Sequence, residues 1–401
     1  MGFGVNKIKG SYKNKLYIFL YSIYYVFAFF MFVLAPTSFH GILPELNQII
    51  ISWSILSITI LIGIMWFSTF NTGHLIFVLA IFAYLTVITI ISNYYDANGR
   101  FSLARIAPIV CFLLFTLLNF KINISIRLTK FFVHFFMIIF IIWNYLIIVG
   151  NSFIENYTIS NYTQLYQEAT SNMFIKKRPI MSFGIYTFAS LFYFLFFFIN
   201  KSFWEITRKK IYMIYMILLL VVNVLLVSNT AAIFSLIMAY YIYRSIKKPF
   251  FKVLMVILII ISVFLLFANF NLSEYYLESL NSESNGFRGR YTDYGTLNTN
   301  LEYIDNYFFI GFNIIDGLTY SDSGYIVYYT MGGILLIITM YFCLYKFLKH
   351  NIPNNYLYIL IPILIFEIAL PVIIYYKFIY ASIFFIITMK AIENYRINKS
   401  C

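Results

Sequence analysis

Apolar runs of roughly 20 residues, one after another with short polar connections between them, constrain this chain more than any other feature. They recur at 16–35, 49–70, 75–92, 106–118, 131–149, 180–199, 211–227, 231–243, 251–268, 325–345, 356–374 and 378–389. Helices that are greasy on every face need lipid or a large core around them. Within lipid a helix is one of the few structures that satisfies its own backbone. The chain is 62% hydrophobic and 11% charged, against about 25% charged in soluble domains. The expected fold is an all-α polytopic membrane protein with about twelve transmembrane helices.

The basic residues set the orientation. Lys7, Lys9, Lys13 and Lys15 precede the first run. Lys121, Arg127, Lys130, Lys201, Arg208, Lys209, Lys210, Arg244, Lys247, Lys248, Lys252, Lys346, Lys349, Lys390, Arg396 and Lys399 then fall on the same side if the spans alternate. Cytoplasmic loops carry such an excess, so both termini are expected in the cytoplasm. The basic start resembles a signal peptide, but the run at 16–35 is too long and lacks a small-residue cleavage site, so it reads as an uncleaved first span. The net charge of +13 is scattered over these connections and offers no contiguous basic surface, which excludes nucleic acid as a partner.

The chain divides into three regions. Residues 1–268 carry transmembrane helices 1–9 with an outer loop at 150–179; residues 269–323 form a large extracytoplasmic loop; residues 324–401 carry transmembrane helices 10–12 and a cytoplasmic tail. Cys111, Cys343 and Cys401 show no pairing pattern and His40, His74, His134 and His350 no ligand spacing, so neither a disulfide framework, a metal nor a cofactor is expected. There is no phosphate-binding glycine loop, zinc-protease helix or serine-hydrolase elbow, which removes ATP-driven and metal-protease chemistry. No internal repeat is visible, in contrast to transporters built from duplicated halves.

The stretch from Asn269 to Gly333 holds eight of the fifteen acidic residues, and within it one basic pair stands in Asn285-Gly-Phe-Arg-Gly-Arg-Tyr291. Tyr307-Phe-Phe-Ile-Gly-Phe312 and Ser321-Asp-Ser-Gly-Tyr325 then lead into the next apolar run. A polar loop between greasy helices is the expected place for chemistry. The outward-facing charges are Arg100, Arg105, Arg178, Arg288, Arg290, Asp293 and Asp322. Arginine suits phosphate because its planar fork binds two oxygens and stays charged, and a nearby carboxylate can orient or deprotonate an acceptor hydroxyl. The alternative is that these arginines pair with the loop's acids or with lipid headgroups.

Lys176-Lys-Arg-Pro179 breaks the inside-positive pattern. It reads either as the solvated end of a span or as an anion site at the head of the next helix, where Lys177, Arg178 and the helix dipole act together. Glu367 lies within a span, between Pro362 and Pro371. Such a carboxylate is a functional candidate, as a proton or cation site, or else a partner for Lys377 or a loop arginine. Asn144 and Asn223 read as helix–helix hydrogen bonds, and Met331-Gly-Gly333 as a site of close helix approach.

The order of large outer loop, Arg288 and Arg290, Tyr307-Phe-Phe-Ile-Gly-Phe312, Asp322-Ser-Gly-Tyr325 and Gly332-Gly333 resembles the C-terminal half of the O-antigen polymerase and ligase superfamily, here its Wzy-type polysaccharide polymerases. The Ser228-Asn-Thr230 turn is similar to a Ser-Arg-Thr hairpin of that family, with Asn229 in place of the arginine. The resemblance covers roughly 170–345. It implies a metal-independent membrane glycosyltransferase, GT-C-like in fold, in the bacterial cytoplasmic membrane. This enzyme would join undecaprenyl-diphosphate-linked oligosaccharide units on the outer face, for O-antigen, lipopolysaccharide or capsule. By the resemblance Arg288, Arg290 and Asp322 are catalytic, and Arg178, Lys177, Arg105, Asp293 and Tyr325 bind substrate. The bilayer, a flippase and a chain-length regulator of the same pathway are the implied partners. A ligase of the superfamily or a lipid-linked oligosaccharide flippase is the alternative.

Reporter fusions test the orientation. Fusions after Ser171 and Ser282 are expected to report from outside, and those after Lys209, Lys248 and Lys349 from the cytoplasm. A cytoplasmic signal after Ser282 would remove the loop from the outer face.

Overall fold

The structure, a computed structural model, describes residues 72–95, 103–118, 125–183, 186–226, 228–246 and 323–400, with single positions elsewhere that include Leu43, Tyr291, Phe309 and Gly311. Most of the spans expected at 16–35, 49–70 and 251–268, and nearly all of the loop at 269–323, lie outside the described residues. Among the described residues there is no strand. In chain order come α1 (Thr72–Tyr95), α2 (Leu103–Phe115), α3 (Ile126–Val149), α4 (Ser152–Ile159), α5 (Gln164–Ile175), α6 (Tyr186–Thr207), α7 (Lys210–Val224) and α8 (Asn229–Ser245). After these come α9 (Gly324–Asn351), α10 (Leu357–Glu367), a 3-10 turn at Val372–Ile374 and α11 (Tyr376–Ser400). Three of these, α3, α6 and α9, are long and apolar enough to cross a membrane, and α7 and α10 are shorter apolar helices.

Local chemistry sets where the helices stop. At the end of α3 the Gly150 N–H reaches Ile147 O at 3.0 Å and the Asn151 N–H reaches Leu146 O at 2.9 Å, the pair of bonds that closes a helix on a left-handed residue. Asn151 then accepts from the backbone of Phe153 and Ile154 and starts α4, as an N-cap side chain does. Ser228 does the same for α8, accepting from Ala231 N at 3.1 Å. The Ser228-Asn-Thr230 turn is thus a helix start.

The core is aromatic. Residues 187–200 of α6 are all buried, and so are residues 381–389 of α11. These two helices lie side by side. Phe188 meets Tyr375 at 5.5 Å and Phe196 meets Phe384 at 5.5 Å. Since both numbers rise together, α6 and α11 run parallel. Phe136 of α3 packs edge-on against Phe384 at 5.0 Å, and Phe366 of α10 stacks on Phe234 of α8 at 4.1 Å.

Polar side chains tie the helices, as expected for Asn144 and Asn223. Asn223 donates to Ala231 O at 2.9 Å and Ser235 Oγ at 2.8 Å. Asn144 accepts from the fully buried Tyr193 hydroxyl at 2.9 Å. Within α9 the helix breaks at Gly332 and Gly333, the latter at φ 63. Gly311 packs on this break, with Tyr329 O at 2.7 Å and Gly332 N at 2.8 Å from where its Cβ would sit. Tyr84 of α1 donates to Gly332 O at 3.2 Å, so the carbonyl freed by the break finds a partner from a neighbouring helix.

Tyr193→Phe deletes the one hydroxyl proton placed between Pro179 O at 2.5 Å and Asn144 Oδ1 at 2.9 Å. With that buried donor gone, the loss is expected to be about 1–2 kcal/mol, read as a lower melting temperature of the purified protein in detergent.

Candidate functional site at one end of the bundle

A helix leaves its last four carbonyls without intrahelical partners, and at a buried end they cannot turn to water. The C-terminus of α10 is buried at Phe366 and Glu367, the latter at 0% exposure, while Ile368 just beyond is exposed. Leu364 O accepts from the Tyr325 hydroxyl at 2.9 Å, Ile365 O from Ile368 N at 3.3 Å and Phe366 O from Ala369 N at 2.9 Å. Glu367 O accepts from Ser323 Oγ at 3.3 Å, and Ile368 O from the Tyr291 hydroxyl at 3.3 Å. The Ser323 and Tyr291 hydroxyls also lie within hydrogen-bond reach of each other. The residue after Arg290 and the residue after Asp322 therefore meet over one helix end.

The Glu367 carboxylate points into the same place. It accepts from Ile373 N at 2.9 Å and from the Tyr341 hydroxyl at 3.5 Å. Tyr341 packs on Tyr325 at 5.3 Å and on Tyr328 at 6.2 Å, giving the carboxylate an aromatic wall. Gly324 lies so close that a Cβ there would run into Glu367 Oε2 and come within 3.1 Å of Pro371 Cα. Only glycine lets the start of α9 approach the acid this closely.

Glu367 does not form an ion pair with Lys377, which corrects one of the roles the sequence offered it. Among the described residues the one ion pair is Lys201–Glu205 at 2.7 Å. The cause is the turn between the two residues. Pro371, at φ −73 and ψ 67, centres a three-residue turn closed by Val372 N to Leu370 O at 2.8 Å. After it the chain restarts in α11, and Lys377 reaches the other way, donating to Ser182 Oγ at 3.4 Å.

The run expected to be helical from residue 180 begins as a helix only at Tyr186. Residues 178–183 are non-helical and buried, because Pro179 disfavours helix at Arg178 and Met181 adopts φ 52. Arg178 thus precedes α6 by eight residues in sequence (186 − 178) instead of standing at its first turn.

Of the residues singled out from sequence, Arg178 is buried at 5% exposure and sits over the Tyr186 ring at 5.3 Å. Lys177 is exposed and strained at φ 51. Arg105 lies in α2, and Tyr325 caps α10. Arg100, Arg288, Arg290, Asp293 and Asp322 lie outside the described residues. Tyr291, Ser323 and Ser182 do not stand out in the sequence as site residues, since a hydroxyl beside a motif carries no periodic signal. Comparison with family models, with curated proteins and with solved structures finds nothing that matches this chain.

Gly324→Ala is expected to lower the melting temperature by the equivalent of about 1–3 kcal/mol through overpacking. Glu367→Ala alone destabilises by leaving a cavity and an unmet Ile373 N–H, but it also removes the clash. The double variant is therefore expected to be less damaged than the two singles added together, by about 1–2 kcal/mol. Strict additivity would separate the two residues.

Proposed function

We propose that this protein is a polysaccharide polymerase of the bacterial cytoplasmic membrane, with about twelve spans and a GT-C-like architecture. It joins oligosaccharide units carried on undecaprenyl diphosphate, on the outer face. What supports the reading is the meeting of Tyr291 and Ser323 over the end of α10, since their chain neighbours are Arg290 and Asp322. In this reading Arg288 and Arg290, with Arg178, stabilise the departing diphosphate. Asp322 orients the acceptor sugar hydroxyl and takes its proton as the glycosidic bond forms and the bond to the diphosphate breaks. Lys177, Arg105, Asp293 and Tyr325 bind substrate in this reading, and no metal takes part. A ligase handing the glycan to a different acceptor would use the same groups.

A second reading, a flippase for the same lipid-linked units, is favoured by the broken α9 and the buried Glu367 beside it, since interrupted helices and intramembrane carboxylates mark transport pathways. Cells lacking the protein decide between them. Single units exported without long chains are expected, whereas units trapped on the inner leaflet would establish the flippase.

In complemented cells, Arg290→Lys is expected to shorten the glycan nearly as severely as Arg290→Ala, because a point charge cannot replace bidentate geometry. Loss of one charge-assisted contact to the transition state corresponds to about 3 kcal/mol, roughly a hundredfold in rate. The measurement is chain length at matched membrane abundance. Full-length glycan from both Arg288→Ala and Arg290→Ala would remove the pair from the mechanism.

A further inference from the structure

Two tyrosines of α9 stand closer together than a straight helix allows. Tyr325 and Tyr341 are 16 residues apart (341 − 325), roughly 24 Å along a continuous helix, yet their ring centres lie 5.3 Å apart. Tyr328 is 13 residues before Tyr341 (341 − 328), roughly 20 Å along the same axis, and its ring centre lies at 6.2 Å. Tyrosine side chains are far too short to bridge such gaps. The break at Gly332 and Gly333, with Gly333 at φ 63 and ψ −165, is therefore a reversal. Tyr325 and Tyr341 meet because they stand equally far, 8 residues (333 − 325 and 341 − 333), to either side of Gly333.

The first arm, 324–331, has 8 residues (331 − 324 + 1) and is about 12 Å long, too short for a hydrocarbon core of about 30 Å. The second arm, 334–351, has 18 (351 − 334 + 1), about 27 Å, and makes the crossing alone. It runs beside α10 in the opposite sense, with Tyr345 by Tyr356 at 5.7 Å near the inner end and the Tyr341 hydroxyl reaching Glu367 at 3.5 Å nearer the outer one. The first arm begins at that second level, where Tyr325 donates to Leu364 O at 2.9 Å and Gly324 lies against Glu367. α10 has 11 residues, about 16 Å, so the level is about halfway across from the side marked by Lys349. The reversal itself is clasped from the loop: Gly311 packs on it. The Tyr84 hydroxyl is within reach of Gly332 O at 3.2 Å and Phe309 O at 3.4 Å.

We propose that 324–331 is a re-entrant half-helix, which rises from the middle of the bundle to the glycine pair and positions the end of the polar loop about halfway into the membrane. Interrupted helices of this kind are tolerated at membrane depth because protein, not lipid, surrounds their freed backbone groups. Here Tyr84 meets the Gly332 carbonyl, and an acidic side chain, Glu367, stands at the N-terminal end of the arm, where the helix dipole favours it. The run read as one straight span from 325 is thus two arms, and the crossing from outside to inside is unchanged. Asp322 is bonded directly to Ser323, with Cα atoms about 3.8 Å apart, so it too stands at this depth. On the polymerase reading, from which this consequence takes its meaning, the acceptor hydroxyl is drawn below the lipid headgroups to reach its base. There water is scarce and each electrostatic contact counts for more.

The test is a pair of distances between nitroxide labels in the purified full-length protein in nanodiscs, on a background with Cys111, Cys343 and Cys401 replaced, measured by electron–electron resonance and line broadening. Val327→Cys with Lys346→Cys spans the reversal, and Leu335→Cys with Lys349→Cys lies wholly in the second arm. In a straight helix the first pair is the longer, about 28 Å for 19 residues (346 − 327) against about 21 Å for 14 (349 − 335). In the folded-back helix the order inverts, because the first pair shrinks to about 14 Å. The inverted order is the expected result, and the straight-helix order overturns the half-helix. Tyr325→Cys in place of Val327→Cys decides in the same way if the label at Val327 prevents folding. Depth is read from the ratio of oxygen to water-soluble nickel accessibility. Single labels at Val327 and Ile338 are expected to give equal depths, whereas a headgroup-level value at Val327 overturns the placement of Asp322. Neither measurement involves glycan. A folded-back helix in a protein whose deletion leaves long glycan intact would keep the half-helix and remove the polymerase, and a straight helix would leave the polymerase reading standing without it.

Discussion

The partly buried C-terminus of α10 is the constraint on which this end of the protein depends. Hiding helix carbonyls from water obliges the fold to supply donors for them, because an unmet buried one costs about 1–3 kcal/mol. The donors come from far along the chain: Tyr325 and Ser323 from the start of α9, and Tyr291 from the region before it. The same obligation draws Gly324 against Glu367, where a larger residue would not fit. One rule of backbone chemistry thus gathers three separate stretches of sequence at one place.

A second device repeats around it. Three-residue turns centred on Pro179 and on Pro371 each precede a buried helix, α6 and α11. Because those helices run parallel, the two turns come to the same end of the bundle, and the Lys377–Ser182 bond joins the segments just C-terminal to them. Both turns are dry. Charges held there act through a lower effective dielectric than at the surface, so each contact with an ionic group counts for more.

Much of this is legible from the chain. The apolar runs place α3, α7 and α8 to within a few residues, since hydropathy and caps such as Gly150 and Ser228 act locally. Asn144 and Asn223 are recognisable as helix ties because an amide inside an apolar run needs a partner. Met331-Gly-Gly333 is legible as a place of close approach, although the break it makes in α9 is not. The run starting at residue 180 reads as helix, for hydropathy cannot tell a buried strap from a span when both are equally apolar.

The sequence by itself determined that the chain is built from long apolar runs, where the polar connections between them fall, and which residue types those connections carry. These properties come from composition and from spacing along one dimension. Only the tertiary structure decided which of those residues share a site. Glu367 and Lys377, ten positions apart and opposite in charge, look like partners on paper. The turn at Pro371 sends the acid to Ile373 and Tyr341 and the lysine to Ser182, because a chain reversal fixes direction, and direction is what a linear sequence does not carry.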